Sequence, residues 1–179
     1  MINLKAGIII AGMLVSTAIF SQSTNWKVDT NKATIKFITS GPFGEVDGSL
    51  AGLKATIIFD PKSPEKSSMN VTINPATIET GVSLRNTHLR EKDEFFNRTK
   101  YPVISFKSKQ IRKTATGSYV VSGDLMIKTV VKQIDIPFTF DKTSTGGIFK
   151  GSFTMDAMDY QLGKSSKNVT VNIEVPVIQ

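Results

Sequence analysis

IDIPFTF, residues 134–140, carries isoleucine or phenylalanine at every second position, with polar residues or proline between them. Successive side chains of a β-strand point to opposite faces, so this period of two predicts a strand with one buried face. Pro137 has no backbone N–H to give to a sheet, which predicts that it lies at an edge or a bulge.

The same alternation recurs along most of the chain. It is found at residues 35–37, 53–59, 69–73, 104–106, 119–121, 125–127, 149–155 and 169–177. About eight strands with one apolar face each predict antiparallel pairing, in either a sandwich or a barrel. Residues 114–118 and 141–147 have the composition of hairpin connections, and the glycines of GPFGEVDGSLAG (41–52) are typical of loops and bulges.

LRNTHLREKDEFF, residues 84–96, breaks this pattern. Its apolar positions and its histidine recur near helical spacing, and Gly81 and Pro102 flank it. We expect a helix or a pair of turns between about residues 83 and 97, laid against the sheet by an apolar stripe. The stripe consists of Leu84, His88, Leu89, Phe95 and Phe96.

The N-terminus has the pattern of an export signal. Lys5 is followed by an uninterrupted apolar and small run to Phe20, and then by Ser21 to Ser23. We expect a cleaved signal peptide at 1–22, a single domain at 23–179, and a periplasmic or secreted protein. The chain has no cysteine, so it can carry neither a disulfide nor a lipidated cysteine after the signal.

Positive charge is concentrated in one part of the sequence. Residues 85–113 contain nine Lys or Arg and three Asp or Glu, an excess of +6 in a chain whose net charge is +7. Such a stretch predicts attraction to an anionic head group or an anionic membrane surface, and a solvated basic face is the alternative. Nucleic acid is not an expected partner of an exported protein.

The sequence offers few groups for catalysis. His88 is the sole histidine, and a site made only of His88 and Glu91 would be a weak metal site. No GxSxG motif or phosphate-binding loop is present. We therefore expect no catalytic residue, no metal and no cofactor, and we interpret His88 as a hydrogen-bonded structural residue.

Residues 80–108, TGVSLRNTHLREKDEFFNRTKYPVISFKS, resemble the signature of the YceI-like family of exported, lipocalin-like polyisoprenoid-binding proteins. Residues 26–37, 122–140 and 169–177 resemble other strands of that family. The chain departs from the family pattern at Asn86, where aspartate is usual, at Thr129 and Gln161, where glycine is common, and at Ala157, where arginine is common. The signature is carried by Thr80, Gly81, Arg85, Asn86, His88, Leu89, Phe95, Phe96, Tyr101, Pro102, Ile104 and Phe106.

The resemblance implies an all-β fold: an extended eight-stranded antiparallel lipocalin-like barrel with a helical crossover near 83–97. It also implies an isoprenoid chain, polyprenyl or quinone-like, held inside the barrel by a carrier or sequestering protein. A filled core in a secreted stress or interaction protein remains the alternative, followed by an enzyme acting on prenyl lipids. The sequence leaves monomer and homodimer open.

The resemblance and the alternation together select the residues expected to contact a lipid. We expect a head group to meet Arg85, His88 and Arg90 at the mouth of the barrel. The expected apolar lining consists of Ile35, Phe37, Leu89, Phe95, Phe96, Ile104, Phe106, Ile136, Phe138, Phe140 and Phe153.

Overall fold

The computed structural model describes residues 24–41 and 44–179. The predicted signal peptide at 1–22 lies outside the described residues. Within them the chain forms ten strands and one α-helix, α1 (Ser83–Glu91), together with short 3₁₀ turns. The strands are β1 (Thr24–Val28), β2 (Thr34–Gly41), β3 (Gly44–Leu50), β4 (Lys54–Phe59), β5 (Ser68–Ile73), β6 (Ile104–Ala115), β7 (Ser118–Ile127), β8 (Val130–Lys142), β9 (Gly146–Asp156) and β10 (Asn168–Ile178).

All ten strands belong to one antiparallel sheet that closes on itself. From β4 to β10 each strand pairs with the next one along the chain, and β1 pairs with both β4 and β10. β1 and β2 both pair with β10, at different heights, and together they occupy the place of one barrel strand. β3 and β4 together occupy the place of a second barrel strand. Ten segments therefore make eight barrel strands, which confirms the predicted fold class and the helical crossover.

The strand directions give the barrel two different ends. The β4–β5, β6–β7 and β8–β9 connections lie at one end, which we call the closed end. The other end, the open end, carries the β2–β3 hairpin, residues 74–103, the β7–β8 turn and residues 157–167. The crossover at 74–103 joins paired neighbours, β5 and β6, and also bridges to β3 through Ser49 and Glu79.

The alternating positions form the core as the sequence predicts. β7 shows this best, because it buries Tyr119, Val121, Leu125 and Ile127 at alternate positions. Most of the buried apolar residues of the wall join into one cluster. The described strands therefore share one apolar interior.

Three local predictions need correction. Residues 44–50, whose glycines were expected to mark loops and bulges, form β3 and pair with β2 from Ile35↔Leu50 to Gly41↔Gly44. Leu84 is 67% exposed and does not pack on the barrel; α1 buries Asn86 instead. Pro137 lies in the interior strand β8, but the β8–β9 ladder starts only at Phe138↔Gly151, so the missing N–H falls where these strands separate.

Candidate ligand-binding site

A cavity of about 570 Å³ occupies the barrel interior and opens between α1, the β2–β3 hairpin and the segment before β10. This volume lies within the range of about 300–1,000 Å³ that is usual for small-molecule sites. Ten of the eleven residues expected to line the interior do line it. They are Ile35, Phe37, Leu89, Phe95, Phe96, Ile104, Phe106, Ile136, Phe138 and Phe153.

Phe140 is the exception among the expected lining residues. Its ring packs against Phe149 at 4.5 Å between centroids, against Trp26 at 5.1 Å and against Phe59 at 5.2 Å. It does not line the cavity. The alternation correctly places Phe140 inside the barrel, but periodicity gives no information about its height along the barrel axis.

The cavity ends on two aromatic rings, Phe138 and Phe149, which we call the floor. Phe59 lies behind both rings, at 5.7 Å from Phe138 and 5.3 Å from Phe149 between centroids, and is 0% exposed. Tyr119 stacks on Phe138 at 5.3 Å. The closed end is thus filled by edge-to-face and stacked aromatic pairs, a geometry that adds to their apolar burial.

The depth of the cavity follows from β10. Its lining residues run from Val169 near the open end to Val175 beside the floor. The six steps between these two residues, at about 3.3 Å each, make about 20 Å of strand. A strand tilt of about 40° reduces this length to about 15 Å along the barrel axis.

Glycines on neighbouring strands make room for the large aromatic side chains. The ring of Phe37 lies where a side chain of Gly48 would be, 2.4 Å from the position of a Cβ there. The ring of Phe106 lies in the same way 2.6 Å from the Cβ position of Gly123. Both rings therefore lie across glycine backbone, which leaves the lumen unfilled.

The rim of the cavity carries its charged groups. Arg85 of α1 lines the rim, half-buried, and its guanidinium makes no hydrogen bond or ion pair with another described residue. Glu94 Oε2 and Lys164 Nζ, 3.0 Å apart, pair across the mouth, and Lys167 Nζ donates to the carbonyl of Ser40 at 2.8 Å. The ammonium of Lys164, hydrogen-bonded to Glu94, holds the pKa of that carboxyl below its usual value.

Backbone contacts strengthen this connection across the mouth. The N–H of Gly163 donates to the carbonyl of Glu94 at 2.6 Å. Lys128 Nζ donates to the carbonyls of Asp93 at 2.6 Å and of Gln161 at 3.3 Å. Sequence reasoning did not select Glu94, Lys164 or Lys167 as site residues, because their partners lie far away along the chain and no motif marks them.

The structure does not bring His88 and Arg90 to the cavity. Arg90 Nε and Nη2 both donate to the carbonyl of Ile78, at 3.1 and 2.5 Å, and its guanidinium also pairs with Glu79 at 3.6 Å. Arg90 therefore holds α1 against residues 78–79, which precede the helix. The imidazole of His88 has no hydrogen-bond partner among the described residues, contrary to expectation.

Asn86 is the buried centre of a polar cluster under α1. Its Oδ1 accepts hydrogen bonds from the backbone N–H of Thr80 at 2.9 Å and from the Thr80 hydroxyl at 2.7 Å. Its Nδ2 donates to Glu79 Oε1 at 2.5 Å. This bond, together with the N–H of Gly81, holds the pKa of Glu79 below its usual value. The cluster thus carries its negative charge on Glu79 rather than on residue 86.

Ala157, where the resembled family commonly has arginine, is buried and lines the cavity close to the open end. Its methyl group adds apolar wall at this position. Arg85 is therefore the arginine that the described part of the chain presents to the cavity.

The basic stretch at 85–113 does not gather at the mouth. β6 descends from the open end to the closed end, so Lys107, Lys109, Arg112 and Lys113 are spread along the outer wall. Lys109 pairs with Asp124 and Arg112 with Asp135. The charge excess is therefore distributed over the height of the barrel and partly paired.

In residues 24–41 and 44–179 no group of three or more His, Asp or Glu side chains is arranged to hold a metal ion. The same residues contain no helix with the length and hydropathy needed to cross a membrane.

A closed eight-stranded antiparallel barrel with an apolar cavity open at one end defines a lipocalin-like barrel fold. The chain belongs to the YceI-like domain family, which matches residues 26–177. It is 34% identical over 127 residues to the UPF0312 protein plu2095 of Photorhabdus laumondii. That match covers 69% of this chain and 65% of the relative, so the chain spans slightly less than two thirds of that protein.

Two solved structures share the fold. BcnA of Burkholderia cenocepacia superposes with a TM-score of 0.79 at 22% identity, over 84% of this chain and 99% of that one. A polyisoprenoid binding domain of Saccharophagus degradans, described as implicated in plant cell wall breakdown, superposes with a TM-score of 0.67 at 16% identity, over 86% and 97%. These two likenesses concern the fold.

Proposed function

We propose that this protein binds the hydrocarbon chain of an isoprenoid lipid inside its barrel and acts as a carrier or a sequestering protein. The observation that carries the proposal is the cavity of about 570 Å³, apolar along its walls, closed by aromatic rings at one end and open at the other. Family membership and the fold shared with a polyisoprenoid binding domain support this choice of ligand. A filled core would have no such space.

The energetics suit an apolar chain. Burial of one CH₂ group is worth about 0.8 kcal/mol, so an isoprene unit of five carbons contributes about 4 kcal/mol. Affinity of this origin needs no strong polar contact, and polar groups at the rim would act on the choice of head group. We assign that contact to Arg85, because it lines the rim and has no partner among the described residues.

The proposal includes location and delivery. Residues 1–22 would direct export to the periplasm or beyond, and the mature protein would take its ligand from a membrane by transient contact with an anionic surface. Catalysis is not part of the proposed function, and neither is a cofactor. His88, Arg90 and the charged residues of β6 would then serve the fold and its solubility.

Organic extraction of the purified protein, followed by mass spectrometry, tests the proposal. We expect a co-purifying isoprenoid in amounts close to one per protein. The matched control is the variant Leu89→Arg, which places a charge in the lining and should abolish co-purification while the circular dichroism spectrum is retained. Equal recovery from both proteins, or no lipid in either, would contradict the proposal.

A second measurement addresses the enzymatic alternative. Purified protein incubated with prenyl phosphates and prenyl esters should return them unchanged. Turnover that disappears in His88→Ala, with the fold intact, would replace the binding function by an enzymatic one.

A further inference from the structure

We propose that Phe138 and Phe149 act as a ruler that sets how many isoprene units the cavity accepts. The inference rests on the proposed function, because it specifies the length of the lipid held in the same cavity. Phe138 lies near the end of β8 and Phe149 near the start of β9, so both reach the lumen from the closed end.

The layer behind the floor prevents a chain from passing further. Phe59 contacts both floor rings and is 0% exposed, and it does not line the cavity. Phe140 and Tyr119 surround it, at 5.2 and 5.1 Å between ring centroids. A hydrocarbon chain that entered from the rim would therefore stop at the first aromatic layer.

The depth of the cavity gives the scale of the ruler. An isoprene unit advances a chain by four carbon–carbon bonds of about 1.5 Å, or about 5 Å when extended. The estimated depth of about 15 Å therefore takes about three extended units between rim and floor. Longer chains would leave their further units at the mouth, beside Arg85 and the Glu94–Lys164 pair.

The size of the floor residues predicts how much the longest accepted chain changes when one of them is replaced. Phe149→Ala removes six carbons, close to the five carbons of one isoprene unit, and the space gained is continuous with the cavity. Val175 faces Phe149 across the β9–β10 ladder and also lines the cavity. Val175→Phe would add four carbons above the floor and shorten the cavity by nearly the same step.

The experiment measures the affinity of wild-type protein and variants for linear prenols of two to six isoprene units, by displacement of a fluorescent fatty-acid probe. We expect affinity to rise with each unit and then level off. The length at which it levels off should increase by one unit in Phe149→Ala and decrease by one unit in Val175→Phe. Phe149→Leu gives a smaller increase if Phe149→Ala fails to fold.

Phe153→Ala is the matched control. It removes the same atoms from the side wall, opposite Val171 and away from the floor, so it should leave the limiting length unchanged. A limiting length that stays the same in folded Phe149→Leu and Val175→Phe would overturn the ruler. So would a limiting length that shifts equally in Phe153→Ala.

The same experiment separates the ruler from the proposed ligand. If wild-type protein binds no prenol, the proposed function is wrong, and straight-chain alcohols of increasing length then replace the prenols. The ruler is retained if the limiting length of those alcohols shifts as described in the floor variants, and it is rejected if it does not.

Discussion

The two ends of the barrel are built from opposite kinds of interaction. At the closed end six aromatic rings pack on one another with no gap for a ligand, and Phe59 at their centre touches four of the others. At the open end short irregular segments are joined by ion pairs and by lysine–carbonyl hydrogen bonds. Burial supplies stability at the end where no ligand passes, and exposed polar contacts, which break at little cost, lie where a ligand would enter.

The largest effect is expected at the closed end. Phe59→Ala removes the ring at the centre of the cluster and leaves a cavity that its neighbours cannot fill, which should cost about 3–5 kcal/mol in the free energy of unfolding. Urea unfolding followed by circular dichroism measures it. Leu84→Ala, at a residue 67% exposed on the open end, is the control and should cost well under about 1 kcal/mol. Equal losses in the two variants would remove the contrast between the ends.

A smaller loss is expected under α1. Asn86→Asp replaces the donor that faces Glu79 by an acceptor, so this part-buried hydrogen bond is lost and the free energy of unfolding at neutral pH should decrease, by less than in Phe59→Ala. The double variant Glu79→Gln with Asn86→Asp restores a donor opposite a carboxylate and should recover most of the stability. No recovery in that double variant would show that the Glu79–Asn86 contact does not determine which residue carries the charge.

The Glu94–Lys164 ion pair across the mouth should affect the rate of ligand release more than the stability of the fold. Lys164→Ala removes the partner of Glu94, so release of a bound fluorescent lipid should become several-fold faster with little change in the melting temperature. Lys32→Ala, which breaks the Lys32–Asp29 pair far from the mouth, is the control and should leave release unchanged.

The pH dependence of release follows from Glu94. Its pKa is lowered in the folded protein, so the contribution of its ionised form is complete above the ordinary glutamate value of 4.5 and is lost as the pH falls through the lowered one. Release should therefore accelerate as the pH falls through this lowered pKa in wild-type protein and be less sensitive to pH in Lys164→Ala. Identical pH profiles would contradict this role of the pair.

The smallest effect concerns steering by charge. Arg85→Glu at the rim should slow uptake from vesicles that contain phosphatidylglycerol about two- to five-fold at low salt, and less at 0.15 M, where the Debye length is about 8 Å. Lys113→Glu, the same charge change near the closed end of β6, should have a weaker effect. Equal slowing by both variants would mean that net charge, and not its position at the rim, governs uptake.

Much of the fold could be predicted from the sequence, because half-buried strands leave a period of two wherever every inward position is apolar. β3 left no such mark. Gly48 occupies one of its inward positions. The ring of Phe37, from the neighbouring strand β2, fills the space that a side chain of residue 48 would take, so β3 itself shows no apolar residue there. At Leu84 the pattern predicted burial that does not occur. Its spacing fits an apolar helical stripe, but the residue that α1 buries is Asn86.

The candidate site was predictable only in part. Alternation identified which residues face inward, so most of the lining followed from the pattern. It could not separate Phe138, which meets the lumen, from Phe140, which lies in the aromatic cluster two residues further on. The rim depends on contacts such as Glu94–Lys164, and the spread of the basic residues along β6 depends on the direction of that strand. Neither contact nor direction is encoded by local spacing.

The pairing of phenylalanine rings with glycines has a consequence for how the capacity of this barrel can be altered. At Gly123 a single added methyl group would meet the ring of Phe106 at 2.6 Å and the carbonyl of Lys107 at 2.5 Å, so the ring would have to swing away from the wall and the backbone of β6 would have to shift as well. One carbon atom would thus move a whole aromatic ring into the space that the ligand needs. Substitutions at the wall glycines should therefore change the volume of the cavity more than the number of added atoms suggests.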